Sequence, residues 1–317
     1  MSRPRVGVAL GSGSARGWAH IGVLRGLAEA GLEPDVVCGT SIGALVGGAY
    51  AAGQLDALED WARSITLLDV VGLLDVTLAR GGVIEGSKLF RTFRETPADI
   101  VIEKLAKPFA AVATDFATGR EVWLQKGPLL DAVRASLSLP GLLPPFRLGE
   151  HWLVDGGLVN PVPVTLCRAL GAEVVVAVNL NGDLVGRNVP PRKGKSPTRS
   201  RRGRTADVGK LSERLREQLR GTASLLASQI LSPKHESPGF FEVVAGAIYI
   251  MQDRITRSRL AGDPADVVLT PRLGHIRLLD FDRGDEVIAE GRACVAAAAP
   301  QLEQALLVGC ADEGGVA

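Results

Sequence analysis

Cysteine, histidine and aromatic residues are scarce in this chain of 317 residues, and charges of opposite sign nearly cancel. The four cysteines, Cys38, Cys167, Cys294 and Cys310, lie far apart and form no CxxC pair. That argues against a disulfide scaffold or thiolate zinc site and makes a reducing compartment the expectation. No acidic cluster suggests a metal, so neither metal nor cofactor is expected. Aromatics make up 4% of the chain against 38 glycines, so Val, Leu, Ile and Ala must build the core, with close backbone approaches. With 36 Lys plus Arg against 35 Asp plus Glu the net charge is +1, which excludes a uniformly basic nucleic-acid binder. The apolar stretch Val243 to Met251 is about half of the ~18 residues a membrane span needs, and the opening MSRPRVGVALGSG lacks a signal-peptide core. A soluble cytoplasmic protein is expected.

What is present is punctuated like an α/β protein. Residues 5–10 form an apolar run that stops at a glycine cluster, and residues 18–30 carry apolar side chains at helical spacing with Gly31 as the cap. A second run, Asp35 to Cys38, leads into GTSIG and a small-residue helix ending at Gly53. The repeat of strand and helix predicts a parallel sheet. Residues 54–107 are mainly helical in period, 108–113 and 121–125 flank a turn and read as a hairpin or paired strands, and Pro128 opens a helix through Ser138. An apolar run to Val154, a helix from Pro163 and an apolar strand, Glu173 to Val178, follow. From Leu184 to Ala206 there are eight basic residues and no acidic one, which reads as a linker or mobile loop. Helical patterns at about 207–231 and 239–260, a late strand at 266–270 and a helix at 284–308 close the chain. One α/β domain with an insertion at about 181–262 accounts for this order.

Three loops carry candidate chemistry. Gly39-Thr40-Ser41-Ile42-Gly43 is a GxSxG string between strand and helix, where a serine hydroxyl stands exposed on a sharp turn that flanking glycines permit. Alone it also fits a structural turn. Gly11-Ser12-Gly13-Ser14-Ala15-Arg16-Gly17 lies between the first strand and helix, where backbone amides can converge on an anion. It reads either as a dinucleotide-phosphate cradle or as the oxyanion hole of an acyl hydrolase. The acidic residues that a dinucleotide site wants, Glu33 and Asp35, precede the second strand instead of ending it, which disfavours the cradle. Asp155, in Val154-Asp155-Gly156-Gly157, follows an apolar strand and is placed to take a proton from a serine, although Asp-Gly turns are common. A triad would need His235 or His275 after Asp155, and no motif surrounds either; His20 and His151 read as structural.

In that order, GSGSARGWAHIGVL, GTSIGAL, ASLSLPGLLPPF and VDGGLVNPVPV resemble the patatin-like phospholipase family, in particular its bacterial members and the catalytic domain of neuropathy target esterase. The resemblance covers about residues 5–180. It implies a three-layer α/β/α fold with a mainly parallel central sheet and a helical insertion. The organisation it suggests is a catalytic region at 5–180, a basic linker or loop at 181–206, a helical insertion at 207–262, and a late strand and closing helix of the same domain at 263–310.

The resemblance also implies a serine acyl hydrolase, a phospholipase, lysophospholipase or carboxylesterase, working through a covalent acyl-enzyme. Ser41 would be the nucleophile and Asp155 its direct base. The amides of Gly11, Ser12, Gly13 and Ser14 would form the oxyanion hole, with Gly39, Gly43, Gly156 and Gly157 in support. Many members carry three glycines where this loop has Ser12 in the middle. Arg16 matches the family's basic residue, either anchoring the loop or meeting a lipid phosphate. The implied partner is a lipid or ester substrate, with the basic residues from 187 to 204 available to an anionic membrane surface. A regulatory acyl-binding protein on the same fold and a dinucleotide-dependent oxidoreductase are the competing readings. Oligomeric state is not legible.

Overall fold

Strands that bury both faces need apolar side chains at every position, and the first, second and seventh strands here supply them. The computed structural model describes residues 3–66, 69, 100–184 and 240–311. The expected elements between residues 70 and 99, the basic stretch at 187–204, the helix expected at 207–231 and His235 lie outside those residues. Val6–Leu10 (β1), Val36–Thr40 (β2) and Val174–Val178 (β7) are buried throughout. They lie side by side in parallel, with Val8 opposite Val37 on one flank and Val176 on the other. Such runs belong to parallel sheets covered on both sides.

The remaining strands are Phe109–Asp115 (β3), Glu121–Leu124 (β4), Phe146–Leu148 (β5), His151–Asp155 (β6) and Val267–Leu269 (β8). The path across the sheet is β5-β6-β3-β2-β1-β7-β8, with β4 paired to β3. From β3 to β8 all strands on that path are parallel, whereas β4, β5 and β6 join antiparallel. The mainly parallel sheet read from the sequence is therefore present, with an antiparallel flank.

The helices are Ala19–Glu29 (α1), Ile42–Ala51 (α2), Leu55–Ser64 (α3), Leu129–Ser136 (α4), Val164–Ala169 (α5), Phe240–Gly262 (α6), Gly284–Ala297 (α7) and Ala299–Ala311 (α8). Alternate strand residues sort into two cores. Val8, Leu10, Val176 and Val178 face α1, α2 and α7, while Ala9, Val175 and Ala177 face α5, with Leu260 of α6 at the margin. This is the expected three-layer α/β/α arrangement. The closing helix expected at 284–308 is instead two helices. Pro300 in the first turn of α8 has no N–H to donate and would crowd the preceding turn, so α7 stops at Ala297.

Strand β3 has three partners, and their registers overlap in an informative way. β2 runs along Phe109 to Val112, β6 along Ala113 to Asp115, and β4 along Ala111 to Thr114. Because β4 overlaps both of the others, it occupies one edge of β3, and β2 and β6 share the opposite edge end to end. Thr40 ends β2 opposite Val112, and Asp155 ends β6 opposite Ala113, the next residue along.

Candidate active site

Ser41 sits where β2 gives way to α2, in a conformation that L side chains rarely adopt, with φ 58° and ψ −124°. Strain of this kind costs about 1–3 kcal/mol and persists only where neighbours over-determine it. The neighbours here are backbone. A Cβ on Gly39 would come within 2.3 Å of Gly43 O, and one on Gly43 within 2.1 Å of Leu10 O, so both glycines of the string are sterically required. Ser136 completes the turn. Its hydroxyl accepts the Ser41 N–H at 2.8 Å and donates to Val112 O at 2.6 Å. It thus stands between the two strands where the β2–β3 ladder would otherwise continue.

Asp155 meets Ser41 from the other direction. Ser41 Oγ donates to Asp155 Oδ2 at 2.6 Å, and the Gly157 N–H donates to Asp155 Oδ1 at 2.7 Å. The Asp155 backbone is tied down as well: its N–H donates to Ser138 O, and its carbonyl accepts from Thr114 Oγ1, each at 2.9 Å. Burial pushes the Asp155 carboxyl up to about 6, with the bonds from Ser41 and Gly157 pulling the other way. A neutral-pH carboxylate with a raised proton affinity, hydrogen-bonded to a serine hydroxyl, is suited to accept that serine's proton.

The glycine-rich loop follows β1, the neighbour of β2, so it opens on the same carboxyl edge of the sheet. Its four expected amides are not equivalent. The Gly11 N–H donates to Val178 O at 3.1 Å and the Ser12 N–H to Pro161 O at 2.8 Å, so both are committed to backbone partners. That corrects the four-amide expectation. Among the described residues no acceptor takes the N–H of Gly13 or Ser14. Ser14 holds a positive φ of 51° and fastens its hydroxyl to Leu278 O at 2.7 Å. Arg16 is buried: its guanidinium donates to Asn181 Oδ1 at 3.1 Å and Ile276 O at 3.3 Å and lies 4.3 Å from the Tyr249 ring centroid. These contacts anchor the loop.

The histidines have other tasks. His20 Nε2 lies 2.7 Å from Gly11 O, and burial lowers its pKa to about 4, so the neutral ring donates to that carbonyl and pins the start of the loop. His275 pairs with Glu286 on α7, and His151 with Asp115. Among the described residues no histidine touches Ser41 or Asp155. Ser136, Asn181 and Gln252 support the site without having been singled out from the sequence. Ser136 lies inside ASLSLPG, where its position one turn before a Pro-Gly break was the available signal.

The fold and site together define a three-layer α/β/α protein that presents a serine hydroxyl, paired with a buried carboxylate, on a strained strand-to-helix turn. A family model for patatin-like phospholipase matches residues 8–168. An uncharacterized NTE family protein of Mycobacterium tuberculosis (strain ATCC 25618 / H37Rv) is 34% identical over 95% of this chain and 93% of its own. Patatin-like phospholipase domain-containing protein 6 of Homo sapiens is 36% identical over 55% of this chain and 13% of its own. Among solved structures, VipD from Legionella pneumophila aligns with 93% of this chain and 67% of its own at 13% identity, with a TM-score of 0.45. The chain belongs to the patatin-like phospholipase family, whose members are lipid acyl ester hydrolases. Among the described residues, no helix is long and apolar enough to cross a membrane, and no group of His, Cys, Asp and Glu could hold a metal ion.

Proposed function

We propose that this protein cleaves acyl esters of phospholipids or lysophospholipids through a Ser41–Asp155 dyad and a covalent acyl-enzyme. The observation that carries the proposal is the 2.6 Å bond from Ser41 Oγ to a buried carboxylate whose pKa is raised to about 6. Ser41 Oγ attacks the ester carbonyl as its proton passes to Asp155 Oδ2. The carbonyl oxygen, now negative, is stabilised by the free N–H groups of Gly13 and Ser14. Collapse breaks the ester bond, and Asp155 returns the proton to the departing alkoxide. Water then attacks the acyl-enzyme with Asp155 again as base, releasing the fatty acid and restoring Ser41.

The domain reading that goes with this is one catalytic unit, residues 5–180, completed by 263–310 and interrupted by the basic stretch and a helical insertion. The basic residues from 187 to 204 contribute +8, leaving −7 for the rest of the chain. Beside an anionic membrane each such charge is worth about 1 kcal/mol. This stretch would bring the enzyme to lipid, and deleting it should weaken binding to anionic liposomes; undiminished binding refutes that role.

A fluorophosphonate probe should label Ser41, and a lipid panel read by mass spectrometry should show fatty acid release lost in Ser41→Ala and Asp155→Asn but kept in His235→Ala and His275→Ala. Labelling that persists in Ser41→Ala removes the proposal.

A further inference from the structure

We propose that Gln252 of α6 is a positioning residue, holding the loop that carries the Gly13 and Ser14 amides in register with the Ser41–Asp155 pair; this rests on the function proposed above.

Gln252 is buried and lies one turn after Tyr249, the residue stacked on Arg16. Its Oε1 accepts the Ser12 hydroxyl at 3.1 Å and the Asn181 amide at 3.0 Å. Asn181 Nδ2 also donates to Ser12 Oγ at 3.3 Å, and its Oδ1 accepts from Arg16. Every proton in this triangle has one destination. The serine hydroxyl gives its single proton to Gln252, the Asn181 amide divides its two, and both lone pairs of Gln252 Oε1 are used. A closed buried network of this kind fixes geometry more firmly than separate bonds would.

The other end of the same amide faces the base. A Cβ on Gly157 would come within 2.4 Å of Gln252 Nε2 and 2.9 Å of Asp155 Oδ1, so Nε2 and that carboxylate oxygen lie within about 5 Å of each other. One side chain therefore touches both the amide-bearing loop and the turn that carries Asp155. It also explains Ser12. A glycine there would supply the same backbone, whereas the hydroxyl is what reaches α6.

The test uses the full chain with p-nitrophenyl ester turnover and fluorophosphonate labelling rates. Gln252→Ala and Ser12→Gly should each lower kcat about 10- to 100-fold with KM changed less than threefold, since the amides act on the transition state. The double variant should lose far less than the product of the two single losses, because both remove one network. Gln252→Glu keeps an acceptor for Ser12 and Asn181 but sets a carboxylate beside Asp155, so the acid limb of its pH–rate profile should move up by about one pH unit or more. Met251→Ala, on the exposed side of α6, should behave as wild type. A kcat within threefold of wild type in Gln252→Ala, or an unmoved acid limb in Gln252→Glu, overturns the proposal. Ser41→Ala, run alongside, separates this from the broader reading. If it stays active, the dyad is wrong; if it is dead while Gln252 variants are unaffected, only the positioning role falls.

Discussion

The buried carboxylate on which the proposed base role of Asp155 rests should also be a burden on the fold, and Asp155→Asn measures both. In the folded protein its pKa is about 6 against 3.8 for the ordinary group, with burial the dominant cause. A carboxyl whose folded pKa is raised binds its proton more tightly folded than unfolded. Stability therefore falls as pH rises from about 4 to about 6 and stays lower above that. The shift of about two units corresponds to ~3 kcal/mol withheld at pH 7 to 8. Asparagine has nearly the same shape. Its Oδ1 can still accept the Gly157 N–H and its amide can donate to Ser41 Oγ, without a charge to bury. Urea denaturation of wild type and Asp155→Asn between pH 4 and 8 should give curves that nearly coincide at pH 4 and separate to about 2–3 kcal/mol in favour of the variant by pH 7.5. Ester turnover by wild type should rise through the same interval, with an acid limb near 6, and be absent from the variant. An Asp155→Asn protein less stable than wild type at pH 7.5, or a stability gap that ignores pH, would refute the account of a carboxylate held against its preference for water.

Further outcomes follow from the turn and its supports. Ser41→Gly should be more stable than Ser41→Ala by about 1 kcal/mol or more, since glycine relieves the positive φ that alanine must still adopt; equal denaturation midpoints would count against strain at this residue. Gly43→Ala, with its Cβ driven to 2.1 Å from Leu10 O, should fail to accumulate as folded protein or lose fluorophosphonate labelling, which gel-based labelling of soluble extract would show. Ser136→Ala leaves the Ser41 N–H and Val112 C=O without their shared hydroxyl. It should cost about 2–4 kcal/mol in denaturation and reduce kcat, and a change below 0.5 kcal/mol would show that the bridge is replaceable.

Much of this architecture was legible because it is local. Apolar runs located β1, β2 and β7, the first two ending at glycine, and the GxSxG and DGG strings singled out Ser41 and Asp155, since close backbone approach admits few residues. The antiparallel flank was harder. The pairing of β3 with β4 follows from two runs around a turn, as expected, whereas the pairing of β6 with β3 and of β5 with β6 is set by contacts across the sheet that no periodicity records. The loop amides illustrate a different limit. Sequence identifies four candidate donors, but which of them are already spent depends on Val178 and Pro161, more than a hundred residues away. Asn181 and Gln252 escaped notice for the same reason: a lone amide side chain in a helix or after a strand has no signature until its partners are in place.

The end-to-end meeting of β2 and β6 on one edge of β3 has a bearing on control. Thr40, immediately before Ser41, and Asp155 are pegged to successive rungs, Val112 and Ala113, of a single fully buried strand, so no hinge lies between them. Chain length between them can change without altering their spacing, and no ordinary domain motion can pull them apart. On the proposed dyad, turnover could be lowered without unfolding the sheet by turning the amides of the neighbouring glycine loop away from Ser41 and Asp155.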